Sequence, residues 1–203
     1  MKARIFHRIV TIAALSIATL IVAVVSRAQE TLHTEHALEQ FDERVAAYAA
    51  LRTRAAASVP PIEVLSDLAR IQAQIDTLAR AIRAARSAAQ PGDLFTADVR
   101  LVFRVEIRDA LAAAGIAVDD LRAGLEQEAE ADLPFVGING PFPWAFGSAV
   151  PPVLLEALPP LPVEMQYRFI GRDLLLVDVE ADLVIDILPN ALPLGRGSEL
   201  SSC

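Results

Sequence analysis

Residues Gln166–Leu188 read QYRFIGRDLLLVDVEADLVIDIL, and the fold depends on how this stretch turns back on itself. Three runs, Tyr167–Ile170, Leu174–Val179 and Leu183–Leu188, are rich in branched aliphatic and aromatic residues, which suit a pleated, half-buried surface. The triplets between them, Gly171-Arg172-Asp173 and Glu180-Ala181-Asp182, have the length expected of three-residue hairpin loops. An antiparallel meander follows, with the second run in the centre. Under that register Ile170 faces Leu174 and Val179 faces Leu183. One face then carries Tyr167, Phe169, Leu175, Val177, Val179, Leu183, Ile185 and Ile187. The other carries Gln166, Arg168, Asp178 and Asp186 among Leu174, Leu176, Val184 and Leu188, with Arg168 near enough to both acids for charge pairing. A two-residue turn at Gly171-Arg172 pushes Arg168 onto the apolar face. Because a one-residue slip inverts every side chain, the apolar pattern favours the longer loop. Three strands alone are marginal in water, so their apolar face needs a cover.

The cover is expected from helices upstream. Leu38–Ala57 places Leu38, Phe41, Val45 and Tyr48 on one stripe, and Val59-Pro60-Pro61 ends it. A second helix is predicted over Asp67–Ala88 with Ser66 as N-cap. Its stripe of Leu68, Ile71, Ile75, Leu78, Ile82 and Ala85 keeps a 3-4-3-4-3 spacing, the seam of a helix that packs on another at a shallow angle. The pair reads as a helical hairpin over 38–89, or as a coiled-coil surface for a partner. Gln90-Pro91-Gly92-Asp93 is a turn. Thr96 caps a third helix that runs to Ala114, directs Val99, Val102, Phe103, Ile107, Ala110 and Leu111 inward, and stops at Gly115. A shorter acidic helix begins at Asp119. Leu133–Val150 is rich in Gly, Pro and aromatics, which disfavour regular structure although Phe135, Phe142, Trp144 and Phe146 favour burial. It reads as an irregular plug over the sheet, or as an aromatic groove for a peptide or glycan strand. Pro151-Pro152 starts a short helix to Leu158, and residues 158–162 run extended into the first strand.

The N-terminal segment predicts that the body of the chain lies outside the cytoplasm. Met1–Arg8 is basic, Ile9–Val25 is a run of 17 residues without a charge, and Ser26-Arg27-Ala28 puts small residues at a cleavage position. At 1.5 Å per residue the run spans about 26 Å, so residues 1–28 read as a signal peptide or, if uncleaved, a membrane anchor through residues 9–25. Residues 29–37 read as a flexible linker, 93–192 as a small α+β domain and 193–203 as a disordered tail. Beyond residue 28 the chain holds 14 basic and 26 acidic residues, a net charge of −12, which argues against nucleic acid as a partner. Every Lys or Arg position after Lys2 is arginine, a compositional bias that by itself indicates no function. The lone cysteine, Cys203, excludes an intramolecular disulfide and a cysteine-rich metal site.

Much chemistry is missing. No histidine follows His36, no cysteine precedes Cys203 and no lysine follows Lys2, so a nucleophile in the body has no imidazole or amine base. No phosphate-binding loop or metalloprotease helix motif is present, and no cofactor is implied. His33 and His36, at i and i+3 among Glu30, Glu35 and Glu39, are the candidates for a divalent metal. Asp178 and Asp186 are the carboxylate pair a hydrolase acting on an envelope polymer would use, with Arg168 placed to neutralise them. The interaction candidates are Phe142, Trp144, Phe146, Arg168, Asp178 and Asp186.

Several motifs resemble a group of uncharacterised exported bacterial proteins over roughly residues 60–192. They are Gly92-Asp93-Leu94-Phe95-Thr96, Gly140-Pro141-Phe142-Pro143-Trp144, residues 158–162 (LPPLP) and residues 167–179 (YRFIGRDLLLVDV). The last also resembles the C-terminal hairpin of the RcnB family, periplasmic proteins linked to nickel and cobalt homeostasis. That likeness implies an exported protein with a small β-meander and carries no metal ligand across. The expectation is an α+β protein of the periplasm or outer face of the cytoplasmic membrane, non-enzymatic, acting on a protein partner or self-associating through its helices. A periplasmic metal-binding or stress-response protein and a carboxylate-based envelope hydrolase are the alternatives.

Overall fold

The computed structural model describes residues 2–61, 67–128 and 135–192. The elements are helices α1 (Lys2–Ala57), α2 (Leu68–Ala85), α3 (Ala97–Ala113), α4 (Val118–Glu128) and α5 (Pro152–Ala157), and strands β1 (Ser148–Ala149), β2 (Met165–Ile170), β3 (Asp173–Asp178) and β4 (Leu183–Leu188). The chain is α+β. The strands form one antiparallel sheet in the order β1-β2-β3-β4, so the expected meander is present, with a short edge strand added from the Pro/aromatic segment.

Side chains cap the starts of α2 and α3, and backbone N–H groups close their ends. Thr96 accepts from the Val99 N–H at the head of α3. At its tail Ile116 N–H returns to Leu111 O, with Gly115 at φ +67°, a left-handed stop that glycine adopts without penalty. The N-cap of α2 is Asp67, whose carboxylate accepts from Ala69 N–H, in place of the expected Ser66, which lies outside the described residues. Residues 29–37 are helical too, part of one continuous α1, and Ala37 is buried against the body. They differ in this from the expected flexible linker. Among the described residues no helix is long and apolar enough to cross a membrane, so the anchor reading gains no structural support. The side chains of residues 1–28, on which the signal or anchor reading rests, and the tail 193–203 with Cys203 lie outside the described residues.

The expected register is overturned. Ile170 pairs with Asp173, so the first hairpin closes on Gly171-Arg172 alone, with Gly171 at φ +54° in the first turn position. A two-residue hairpin of the Gly-X type needs that positive angle. The second turn is longer than expected: Asp178 pairs with Leu183 and four residues lie between them. In β4 the register slips between Leu176/Asp186 and Val177/Val184, which leaves Ile185 bulged. As bulges do, this re-aims side chains. Ile185 and Asp186 both turn toward the helices.

The helix-covered face of the sheet therefore carries Tyr167, Phe169, Leu174, Leu176, Leu183, Ile185 and Leu188 together with Asp178 and Asp186. Against it lie Phe41, Val45 and Tyr48 of α1, Leu78 and Ile82 of α2, and the buried stripe of α3. Phe41, Phe95 and Phe103 cluster at the centre with ring centroids 4.9–5.8 Å apart, Phe41 stacked on Phe95 and Phe103 edge-on to Phe95. The opposite face, with Ile170, Leu175, Val177 and Val184, is buried as well, under Phe142 and the partly buried Val136 and Ile138. Backbone bonds Asn139 N–H to Val184 O (2.8 Å) and Val184 N–H to Gly140 O (2.9 Å) stitch this plug to the outer edge of β4. Burial on both faces is why alternation misled: a strand covered twice has no polar face to set its phase.

Candidate functional site

Both acids singled out in the sequence are fully buried on the helix-covered face, and each is saturated there. Asp178 Oδ2 accepts from the Tyr48 hydroxyl (2.8 Å) and from Arg52 Nε (2.8 Å), while Oδ1 accepts from Ala181 N–H (2.9 Å) and holds the turn. Arg52, itself buried, also donates to Glu180 and lies 3.9 Å from Glu164. Burial raises the Tyr48 phenol far above its ordinary value, and the adjacent Asp178 charge raises it further. The Arg52 guanidinium is held charged: burial opposes it, but Asp178 and Glu180 outweigh that and its pKa is raised.

Asp186 works differently. Oδ2 accepts from Leu94 N–H and Phe95 N–H (2.8 Å each), and Oδ1 from Gly92 N–H (2.9 Å) and its own neighbour Ile187 N–H (2.8 Å). Gly92 stands at φ +94°, which turns successive amides toward one point and makes a concave nest for the carboxylate. The segment Gly92–Phe95 is thus a receptor for a residue more than ninety positions later.

Arg168 is on the other face and pairs with neither acid. Its Nη2 donates to Gln166 Oε1 (2.7 Å), and its guanidinium lies 5.3 Å from the centre of the Trp144 ring. The expected Arg168–Asp186–Asp178 cluster does not form because β3 is inverted relative to β2. Trp144 is 46 % exposed, donates its indole N–H to Asp182 Oδ1 (2.7 Å) and meets Phe142 edge to face at 4.8 Å. Phe142 is buried plug, Phe146 is half-buried, and Phe135, expected to seek burial, stands 98 % exposed.

His33 and His36 are both exposed. His33 Nε2 lies 3.8 Å from Asp98 Oδ1 and His36 Nδ1 lies 3.9 Å from Glu39, so each meets one carboxylate. Among the described residues no group of three or more His, Cys, Asp or Glu is placed to hold a metal ion.

Tyr48, Arg52, Glu180 and Arg86 escaped the sequence reading. Tyr48 was assigned to the apolar stripe, and Arg52 follows it by four residues, so an arginine one turn beyond a stripe tyrosine was the available signal. Arg86 lies 5.2 Å from the centre of the Tyr48 ring and donates to Ile185 O (3.0 Å); burial lowers its pKa.

Comparison of the chain with protein-family models, curated proteins and solved structures gives no match. The likenesses to exported envelope proteins and to the RcnB hairpin therefore rest on their quoted motifs alone.

Proposed function

We propose that this is an exported envelope protein that works as a non-enzymatic interaction module, docking through helix α2 on a protein partner or a second copy. The observation that carries the reading is the division of the α2 seam. Its downstream half, Leu78 and Ile82, is buried against the body, whereas the upstream half continues the same spacing into solvent, with Leu68 80 % exposed and Ile71 and Ile75 half-buried. A seam of regular spacing left half open fits a further helix.

The state of the carboxylates supports the same reading over hydrolysis. A general base or nucleophile needs a free lone pair, and a general acid a proton to give, at a surface that substrate can reach. Asp178 and Asp186 are fully buried and spend theirs on Tyr48, Arg52 and backbone amides. Export itself rests on the basic, apolar, small-residue layout of residues 1–28.

Light scattering after size exclusion, together with crosslinking in the native envelope, tests this. Association or a specific crosslinked partner, lost in Leu68→Glu, is the expected outcome. A strict monomer that crosslinks to nothing overturns it.

A further inference from the structure

A groove of about 460 Å³ runs beside the start of β2, walled by Leu155, Pro159, Pro160, Leu161 and Met165, with Arg168 as the one charged residue lining it. The wall is pre-formed. Prolines carry locked φ angles, and the Tyr167 hydroxyl donates to Pro159 O (3.1 Å), which pins the proline segment to the strand. Leu155, on α5, is 48 % exposed at the rim. Little ordering is left to oppose a ligand that enters.

The charge is the informative part. In a chain of net charge −8, Arg52 gathers three acids, yet Arg168 has no carboxylate within 4 Å among the described residues. Its Nε is buried without an acceptor, and its flat guanidinium is held against Trp144. Tryptophan and arginine side by side, next to an apolar trough, are the residue types that dominate binding energy at protein interfaces. A carboxylate reaching Arg168 gains a charge-assisted hydrogen bond, and aliphatic side chains on either side of it find apolar walls.

We propose that this groove binds an extended peptide segment of a partner protein, in which an acidic side chain meets Arg168 and flanking aliphatic residues lie along Leu155 and the proline wall. The proposal rests on the interaction-module reading and adds a second surface, remote in sequence from the α2 seam.

Selection of a displayed library of random twelve-residue peptides against the full chain tests it. Trp144, the single tryptophan of the chain, reports binding by its emission. Enrichment of sequences with Asp or Glu between aliphatic residues is expected, with a saturable change in Trp144 emission and affinity falling about tenfold or more in Arg168→Gln. Leu155→Asp, a change at an exposed position, should weaken binding similarly with an unchanged melting temperature. No enrichment, enrichment without an acidic position, or affinity indifferent to both variants overturns the groove. So does an Arg168-dependent response to sodium laurate with none to peptides. Peptides sensitive to Leu68→Glu but not to Arg168→Gln sink the groove and leave the interaction module standing.

Discussion

Asp186 is held by four backbone N–H groups and Asp178 by a phenol, a guanidinium and one amide. Neutralising each therefore does different damage. Asp178→Asn removes the one fully buried acid of the three around Arg52 and leaves Glu180 and Glu164 to balance it, so the loss is expected to approach what breaking a buried pair costs, about 3–5 kcal/mol. Asp186→Asn turns an amide NH₂ toward N–H donors in the nest, at about 2–4 kcal/mol. Urea denaturation of both variants checks these magnitudes; a loss under 1 kcal/mol in either contradicts the saturated geometry. The tyrosines supply a pH test. The chain has two, Tyr48 and Tyr167, and burial raises both, with Asp178 and Asp42 respectively as the further cause. Above pH about 10 the unfolded chain has released phenolic protons that the folded chain keeps, so stability is intact below that pH and falls as pH rises. Tyrosinate absorbance should thus stay flat through pH 10 and rise only with unfolding. A reversible titration near 10 in folded protein would show a phenol open to water. These residues also mark the limit of the sequence reading. Asp178 and Asp186 were visible as a pair, but apart from the neighbouring Ala181 and Ile187 amides what binds them lies 91 to 130 positions away and leaves no local pattern.

At the level of elements, helices were legible and strand phase was not. Thr96, Gly115 and the stripe of α3 announce that helix by short-range rules, and the structure keeps each of them. The phase of β3 could not be read from alternation, because every residue from Leu174 to Asp178 is buried. The usable signal was Gly171 followed by a single residue, the turn type that demands glycine first. Gly147 supplies a sharp test of the plug. A Cβ there would lie 2.1 Å from Phe142 Cζ, so Gly147→Ala must drive the ring out of its site. A loss of about 1–3 kcal/mol is expected, with a shift in Trp144 emission because Phe142 packs against that indole. An unchanged emission maximum would mean the plug is not seated there. On α2 the two halves of one seam should part company. Ile82→Ala empties a fully buried site and costs about 2–5 kcal/mol, whereas Leu68→Glu leaves the melting temperature where it was. Equal losses would contradict the exposure of Leu68.

Across the whole molecule, arginine turns out to be the fastener. Arg44 donates to Asp93 O, Arg83 to Asn139 O, Arg86 to Ile185 O, Arg100 to Phe95 O, Arg104 to Pro189 O and Arg172 to Leu192 O. A guanidinium suits this role, with several donors in a rigid fork and a weakly held hydration shell. The arginine bias that carried no weight in the sequence thus has a structural use. Hydrogen exchange offers a global check. The amides of Leu94 and Phe95 sit in a loop, yet they should exchange as slowly as those of β4, since the Asp186 carboxylate releases them only when the sheet opens. The same arrangement has a consequence for synthesis. Both anchoring acids lie in β3 and β4, downstream of every described helix, so a chain still emerging from the ribosome has its helices but neither bolt that locks them. Until β3 and β4 have been made the helices therefore lack the two buried carboxylates that fasten them, and the fold closes late in synthesis.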